Sequence, residues 1–142
     1  VVNDWDTAYY SNFTRYGGDD PIVVSYASSP PAEVMFAEEP LDAAPTAVVT
    51  DGCFRQIEFA GILAGTENET AAGQLIDFML SPEFQEQIPT TWFVFPANVD
   101  VDLPEVFAEN TVIPEDPIAM DPAEIEQNRE TWLDQWRDIV TP

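Results

Sequence analysis

Residues 77–96 read DFMLSPEFQEQIPTTWFVFP, a run that carries a helix stop, a second helix start and an aromatic segment without interruption. Just upstream and into it, Ala72, Leu75, Ile76, Met79 and Leu80 recur at helical spacing and form one apolar stripe. Ser81-Pro82 then places an N-cap hydroxyl before a proline at the first helical position, where its missing N–H costs nothing. A short second helix follows, with Pro89 as its expected stop. Trp92, Phe93, Val94 and Phe95 read as a strand closed by Pro96. None of these residues is arranged as a catalyst, so the stretch predicts two helices and a strand packed together.

Working outward, Asn3 or Asp4 caps a first helix with Trp5, Ala8, Tyr9, Asn12, Phe13 and Tyr16 on one face, ended by Gly17-Gly18. Residues 22–26 read as a strand between Pro21 and the Ser28-Ser29-Pro30-Pro31 turn. A short helix is expected over 31–38, an acidic surface connection over 38–45, and a further strand beginning at 47–50. Residues 56–64 are apolar on both faces apart from Gln56 and Glu58, which fits a buried central strand or a crossing between lobes. Thr66 and Glu69 have the spacing of a capping box for the helix already described. Residues 97–117 read as irregular. Asp121-Pro122 opens a long terminal helix whose apolar face includes Ile125, Trp132, Leu133, Trp136, Ile139 and Val140, with both tryptophans read as packing.

A length of 142 residues sets one domain as the prior, and 45% hydrophobic residues suffice for a core. The charge is lopsided: 27 acidic residues face four arginines, with no lysine or histidine, for a net charge of -23. Such a surface repels phosphate, which argues against nucleic acid and anionic membranes as partners. Solubility explains the acidity, as does a salt-rich or acid-shifted habitat; an acidic rim also attracts a cationic solute. Cys53 is the one cysteine, so the chain forms no internal disulfide and no multi-cysteine metal site. Without histidine the usual base for a catalytic thiol is missing, and Cys53 is read as packing. No stretch is apolar enough to span a bilayer, and no signal or anchor segment is visible.

Taken in order, NDWDTAYYSNF, IVVSYASSP, VVTDGCFRQIEFAGILAG, the 77–96 run and DPAEIEQNRETWLDQW resemble the second half of the thiamine-binding proteins that feed ABC transporters. The resemblance implies an α/β fold, the C-terminal half of a bilobed type 2 periplasmic-binding protein that closes on ligand between two lobes. It implies that residues 1–142 are a solute-binding segment of a longer protein whose N-terminal half is a partner. It further implies an extracytoplasmic location, in the periplasm or at the cell surface through a lipid anchor on the absent N-terminus, delivery to a membrane permease, and no catalysis, cofactor or metal.

A thiazolium joined to an aminopyrimidine is flat and cationic, so its site needs aromatic faces for stacking and cation–π attraction. By residue-wise resemblance Trp5, Tyr26 and Trp92 match aromatic positions lining the thiamine cleft, and Ser25 precedes Tyr26 where its hydroxyl can face the same cleft. Phe54 and Gln56, on a turn before the 56–64 segment, are further ligand candidates. Each has a structural reading beside the functional one: Trp5 lies on an apolar stripe and Tyr26 can close a strand edge. Relatives with the SY-x-x-SP pattern carry another tyrosine just after the turn, where this chain has Ala32. Other ligands consistent with the fold are a different organic cation, a polyamine, ferric ion or a phosphonate. A thiamine-degrading enzyme of similar fold is the alternative from another class, with Cys53 as its sole thiol.

Overall fold

The computed structural model describes residues 1–140. Its regular elements are helical: α1 (Ser29–Met35), α2 (Glu69–Met79), α3 (Pro82–Gln85), α4 (Ile88–Trp92), α5 (Glu105–Asn110) and α6 (Pro122–Val140). A π-helical turn over Thr7–Asn12 and a 3-10 turn over Thr14–Tyr16 precede them. The chain divides into two compact units, one containing Val1–Val24, Thr50–Arg55 and the residues from 114 onward, the other Ser25–Val49 and Gln56–Ile113.

In the first unit the helix start read from the sequence is present. The Asp4 carboxylate accepts from the Thr7 backbone N–H at 2.7 Å and from its hydroxyl at 3.0 Å. The turn then widens, with the Phe13 N–H donating to the Ala8 carbonyl five residues back, so the expected α-helix is replaced by π winding. Gly17, at φ 96°, ends the run in the left-handed region. Gly18 has a second reason to be glycine, since a Cβ there would collide with the Asn12 backbone. Farther along, Phe54 and Ile118 form an isolated parallel bridge in which the Ile118 N–H donates to the Cys53 carbonyl at 2.7 Å. Asp121 caps α6 through the Ala123 N–H at 2.9 Å, as its sequence predicts. The helix buries none of its residues: Trp132, Leu133, Trp136 and Ile139 stay exposed, which corrects the packing assigned to its apolar face.

The second unit is built around Phe107, which is fully buried on α5. α1 packs against α5, and Phe95 meets Phe107 edge-on at 6.4 Å between ring centroids. Polar groups complete this core. Thr46 donates its hydroxyl to the buried Glu33 carboxylate at 2.9 Å, and the Asn110 amide oxygen accepts from the Ala44 N–H at 2.7 Å. Ser81 caps α3 as expected, its hydroxyl accepting from the Phe84 N–H. Thr66 instead caps its own loop by accepting from the Asn68 N–H, and the capping box with Glu69 is not formed.

The strands expected over 22–26, 47–50, 56–64 and 92–95 are not formed, and the only β pairing among the described residues is two isolated bridges. The α/β expectation is therefore met in its helices and not in a sheet. The physical reason is that a strand's hydrogen bonds go to another strand, so a suitable pattern makes a ladder only where a partner lies alongside. Residues 56–64 are exposed throughout, which corrects the buried central strand. At 92–95 the correction is local. Pro89 sits in the first turn of α4 and starts a helix, where it was expected to stop one, Trp92 closes that helix, and Phe93 turns the chain at φ 56°. The Phe93 ring settles against Phe36 at 5.4 Å. Residues 97–117, read as irregular, contain α5.

Candidate functional site

Trp5 stands two residues before the π-helical turn, 38% exposed, and stacks on the buried Tyr9 with centroids 4.7 Å apart and planes at 20°. Tyr10 meets it edge-on at 5.5 Å, and Tyr10 and Tyr16 are in turn 5.1 Å apart. The Arg15 guanidinium lies 5.0 Å from the Tyr16 ring centroid, a cation–π distance. The result is an aromatic ledge with Tyr9 as its buried base and Trp5, Tyr10 and Tyr16 partly open. Trp5 thus packs one face on Tyr9 while part of the ring reaches solvent.

The π-wound segment carries the middle of this ledge, Tyr9 and Tyr10. Tyr10, which lies within the π-wound Thr7–Asn12 segment, meets Trp5 just ahead of it, whereas α-helical spacing leaves Tyr10 off the stripe. Sequence reasoning missed Tyr10 for that reason, and the density of aromatic residues over 5–16 was the only signal. The Asp4 carboxylate at the head of the ledge is held below the ordinary aspartate pKa, chiefly by the Thr7 backbone N–H and then by the Thr7 hydroxyl. It therefore remains an anion across neutral pH. Phe54, in the same unit, is exposed at the bridge to Ile118.

The remaining candidates lie in the second unit. Tyr26 is 63% exposed and Trp92 67% exposed, and among the described residues neither ring has a ring partner. Trp92 is the last residue of α4, and at the Phe93 turn that follows the next ring is half-buried against Phe36. The hydroxyls of Ser25 and Ser29 share a hydrogen bond of 2.7 Å, which fixes Ser25 at the start of α1 next to Tyr26. Gln56 is exposed. Cys53, read as buried packing, is half-buried at the turn before Phe54. Among the described residues no group of three histidine, cysteine, aspartate or glutamate side chains is placed to hold a metal ion. No described helix is long and apolar enough to cross a membrane.

Each unit thus exposes aromatic side chains, Trp5, Tyr10 and Tyr16 in the first and Tyr26 and Trp92 in the second, of the kind that takes part in cation–π contacts. Relatives of the solute-binding class are found over nearly the whole chain. It is 31% identical over 141 residues, 99% of its length, to the thiamine-binding periplasmic protein of Escherichia coli, and 30% identical over 141 residues to that of Salmonella typhimurium. Against the thiamine-binding periplasmic protein of Brucella suis it is 31% identical over 137 residues, 96% of the chain. These results bear out the resemblance read from the sequence, and the relatives are named for binding rather than for a reaction. The chain spans about two fifths of their length: 41% of the first two and 39% of the third. No family model matches the chain, and no solved structure does.

Proposed function

We propose that this chain is the ligand-binding part of a longer extracytoplasmic solute-binding protein that takes up thiamine or a thiamine phosphate and delivers it to an ABC permease. Similarity over 99% of the chain to a thiamine-binding periplasmic protein carries this reading. Exposed aromatic rings give it a chemical basis. Trp5, Tyr26 and Trp92 offer faces to a flat cation, Ser25 and Gln56 offer hydrogen bonds, and Phe54 adds apolar area. A net charge of -23 favours a cationic solute over an anionic one at the encounter stage. In this reading the protein binds and releases, with no covalent step and no role for the Cys53 thiol.

A site with only part of its walls present binds weakly, because the freedom lost by the ligand is offset by fewer contacts. For residues 1–142 alone a thiamine Kd on the order of 1 mM, about -4 kcal/mol, is expected. Nuclear magnetic resonance reads such affinities directly. The chain has four tryptophans and hence four indole N–H signals. Thiamine is expected to shift those of Trp5 and Trp92 and to leave Trp132 and Trp136 in place. Replacing Trp92 by alanine should weaken binding by about 1–2 kcal/mol, the value of a cation–π contact that becomes desolvated. No saturable shift at Trp5 or Trp92, or equal shifts at all four indoles, would remove these residues from the site.

A further inference from the structure

The triplet Asn-X-Thr, with X other than proline, is the acceptor sequence for asparagine-linked glycans in exported proteins. It occurs twice in the chain, as Asn12-Phe13-Thr14 and as Asn68-Glu69-Thr70. So short a triplet also arises by chance, and its placement decides whether it can be used. Asn12 closes the π-helical turn and is half-buried. Its carbonyl accepts from the Asp20 N–H at 2.9 Å, and the Thr14 N–H donates to the Asp20 carbonyl at 2.9 Å. Gly18 lies so close to the Asn12 backbone that a Cβ there would overlap it. Presenting this triplet to an enzyme therefore means parting the turn from the Gly18–Asp20 segment that bonds to it and covers it.

Asn68 is placed differently. Residues 65–70, GTENET, hold no large apolar side chain, Gly65 turns the chain at φ 82°, and every residue of the run is exposed. Glu67 and Glu69 keep this run in water within a longer chain as well, because burying an unpaired carboxylate is far costlier than leaving it solvated. The Asn68 side chain precedes α2 without capping it, and neither its amide nor the Thr70 hydroxyl makes a hydrogen bond among the described residues. Backbone bonds at Asn68 are local: its N–H donates to the Thr66 hydroxyl at 3.2 Å, and its carbonyl accepts from the Ala72 N–H at 2.9 Å. Opening the first turn of α2 frees the whole triplet, and helix ends open at small cost.

We propose that Asn68 is an N-glycosylation site and that Asn12, in the same triplet, is not. The Asn68 Nδ2 bonds to the anomeric carbon of an oligosaccharide as the bond from that carbon to the phosphate oxygen of a polyprenyl phosphate or diphosphate carrier breaks. The carrier oxygen leaves with the bonding electron pair, Nδ2 gives up one proton, and nothing is oxidised or reduced. Transfer of this kind serves exported chains, so the inference rests on the extracytoplasmic location in the proposed function.

Peptide mass spectrometry tests it on the full-length protein fractionated from the organism that makes it. In the extracytoplasmic fraction the peptide carrying Asn68 should bear a glycan mass and the peptide carrying Asn12 none. Asn68→Gln and Thr70→Ala should each lose that mass, and Thr70→Ser should keep it, because serine supplies the same hydroxyl. Unchanged helix content by circular dichroism is expected in all three, since the side chains replaced make no hydrogen bond; should a variant not fold, the parent's peptides decide alone. An unmodified Asn68 in protein recovered outside the cytoplasmic membrane overturns the inference and leaves the location standing, whereas protein found only inside the cell overturns both. A glycan on Asn12 at equal occupancy overturns the selection by structure, and a mass that survives Thr70→Ala overturns the assignment to this triplet.

Discussion

Gln85 links the end of α2 to the segment that follows Trp92, and its replacement offers a quantitative test of how that segment is held. The side chain is only 6% exposed. Its amide nitrogen donates to the Met79 carbonyl at 2.7 Å, while its oxygen accepts from the Ala97 N–H at 2.6 Å and more distantly from the Asn98 N–H at 3.4 Å. The first two are short and the third is at the distance limit. At roughly 0.5–1.5 kcal/mol each, they predict that Gln85→Met, which keeps volume and removes every bond, costs about 1–3 kcal/mol. With a urea slope of about 2 kcal/mol per M, the denaturation midpoint falls by roughly 0.5–1.5 M. Far-ultraviolet circular dichroism follows this transition through the helices, and the exposed Gln87→Met serves as the reference, expected within about 0.5 kcal/mol of the parent. Gln85→Glu is the more incisive variant, since an ionised carboxylate has no donor for the Met79 carbonyl. Its deficit should shrink as the pH falls and the carboxyl regains a proton. A Gln85→Met midpoint equal to that of Gln87→Met would refute the assignment of these bonds as a clamp on the 97–98 turn.

Three further outcomes follow from the same geometry. Phe107→Ala, which empties the fully buried centre of the second unit, should lose about 3–5 kcal/mol by urea denaturation, and a loss near that of a surface residue would show that α1 and α5 do not enclose it. The Asp4 carboxyl should titrate, by carbon-detected resonance, below an ordinary aspartate. Its depressed folded-state pKa means that the cap on Thr7 is fully present above the unfolded-state value and lost as the pH falls through the folded one, while Asp4→Asn should remove this dependence. With a net charge of -23, the chain should gain thermal stability between 0.1 M and 1 M KCl as the screening length falls from about 10 Å to about 3 Å; a flat profile would mean that charge repulsion is not a significant opposing force.

The helix starts at Asp4, Ser81 and Asp121, and the stop at Gly17, were legible in the sequence because each depends on hydrogen bonds or backbone torsions within three or four residues. The proposed ligand class rests on the resemblance carried by the whole order of residues, with which the aromatic content and the sign of the charge are compatible. Tertiary structure alone decided the rest. β-pattern at 22–26 and 56–62 expresses a capacity to pair, and whether a partner lies alongside is a non-local fact. Helical periodicity in α6 likewise marks an apolar face without determining that anything covers it, and Trp132 and Trp136 remain exposed. Trp5 and Trp92 are candidates from the family resemblance, and the structure shows both partly or largely exposed. The widened turn carrying Tyr10, which meets Trp5, and the left-handed Phe93, which packs on Phe36 beside the open Trp92, arise because aromatic packing over several turns outweighs the local preference for regular winding.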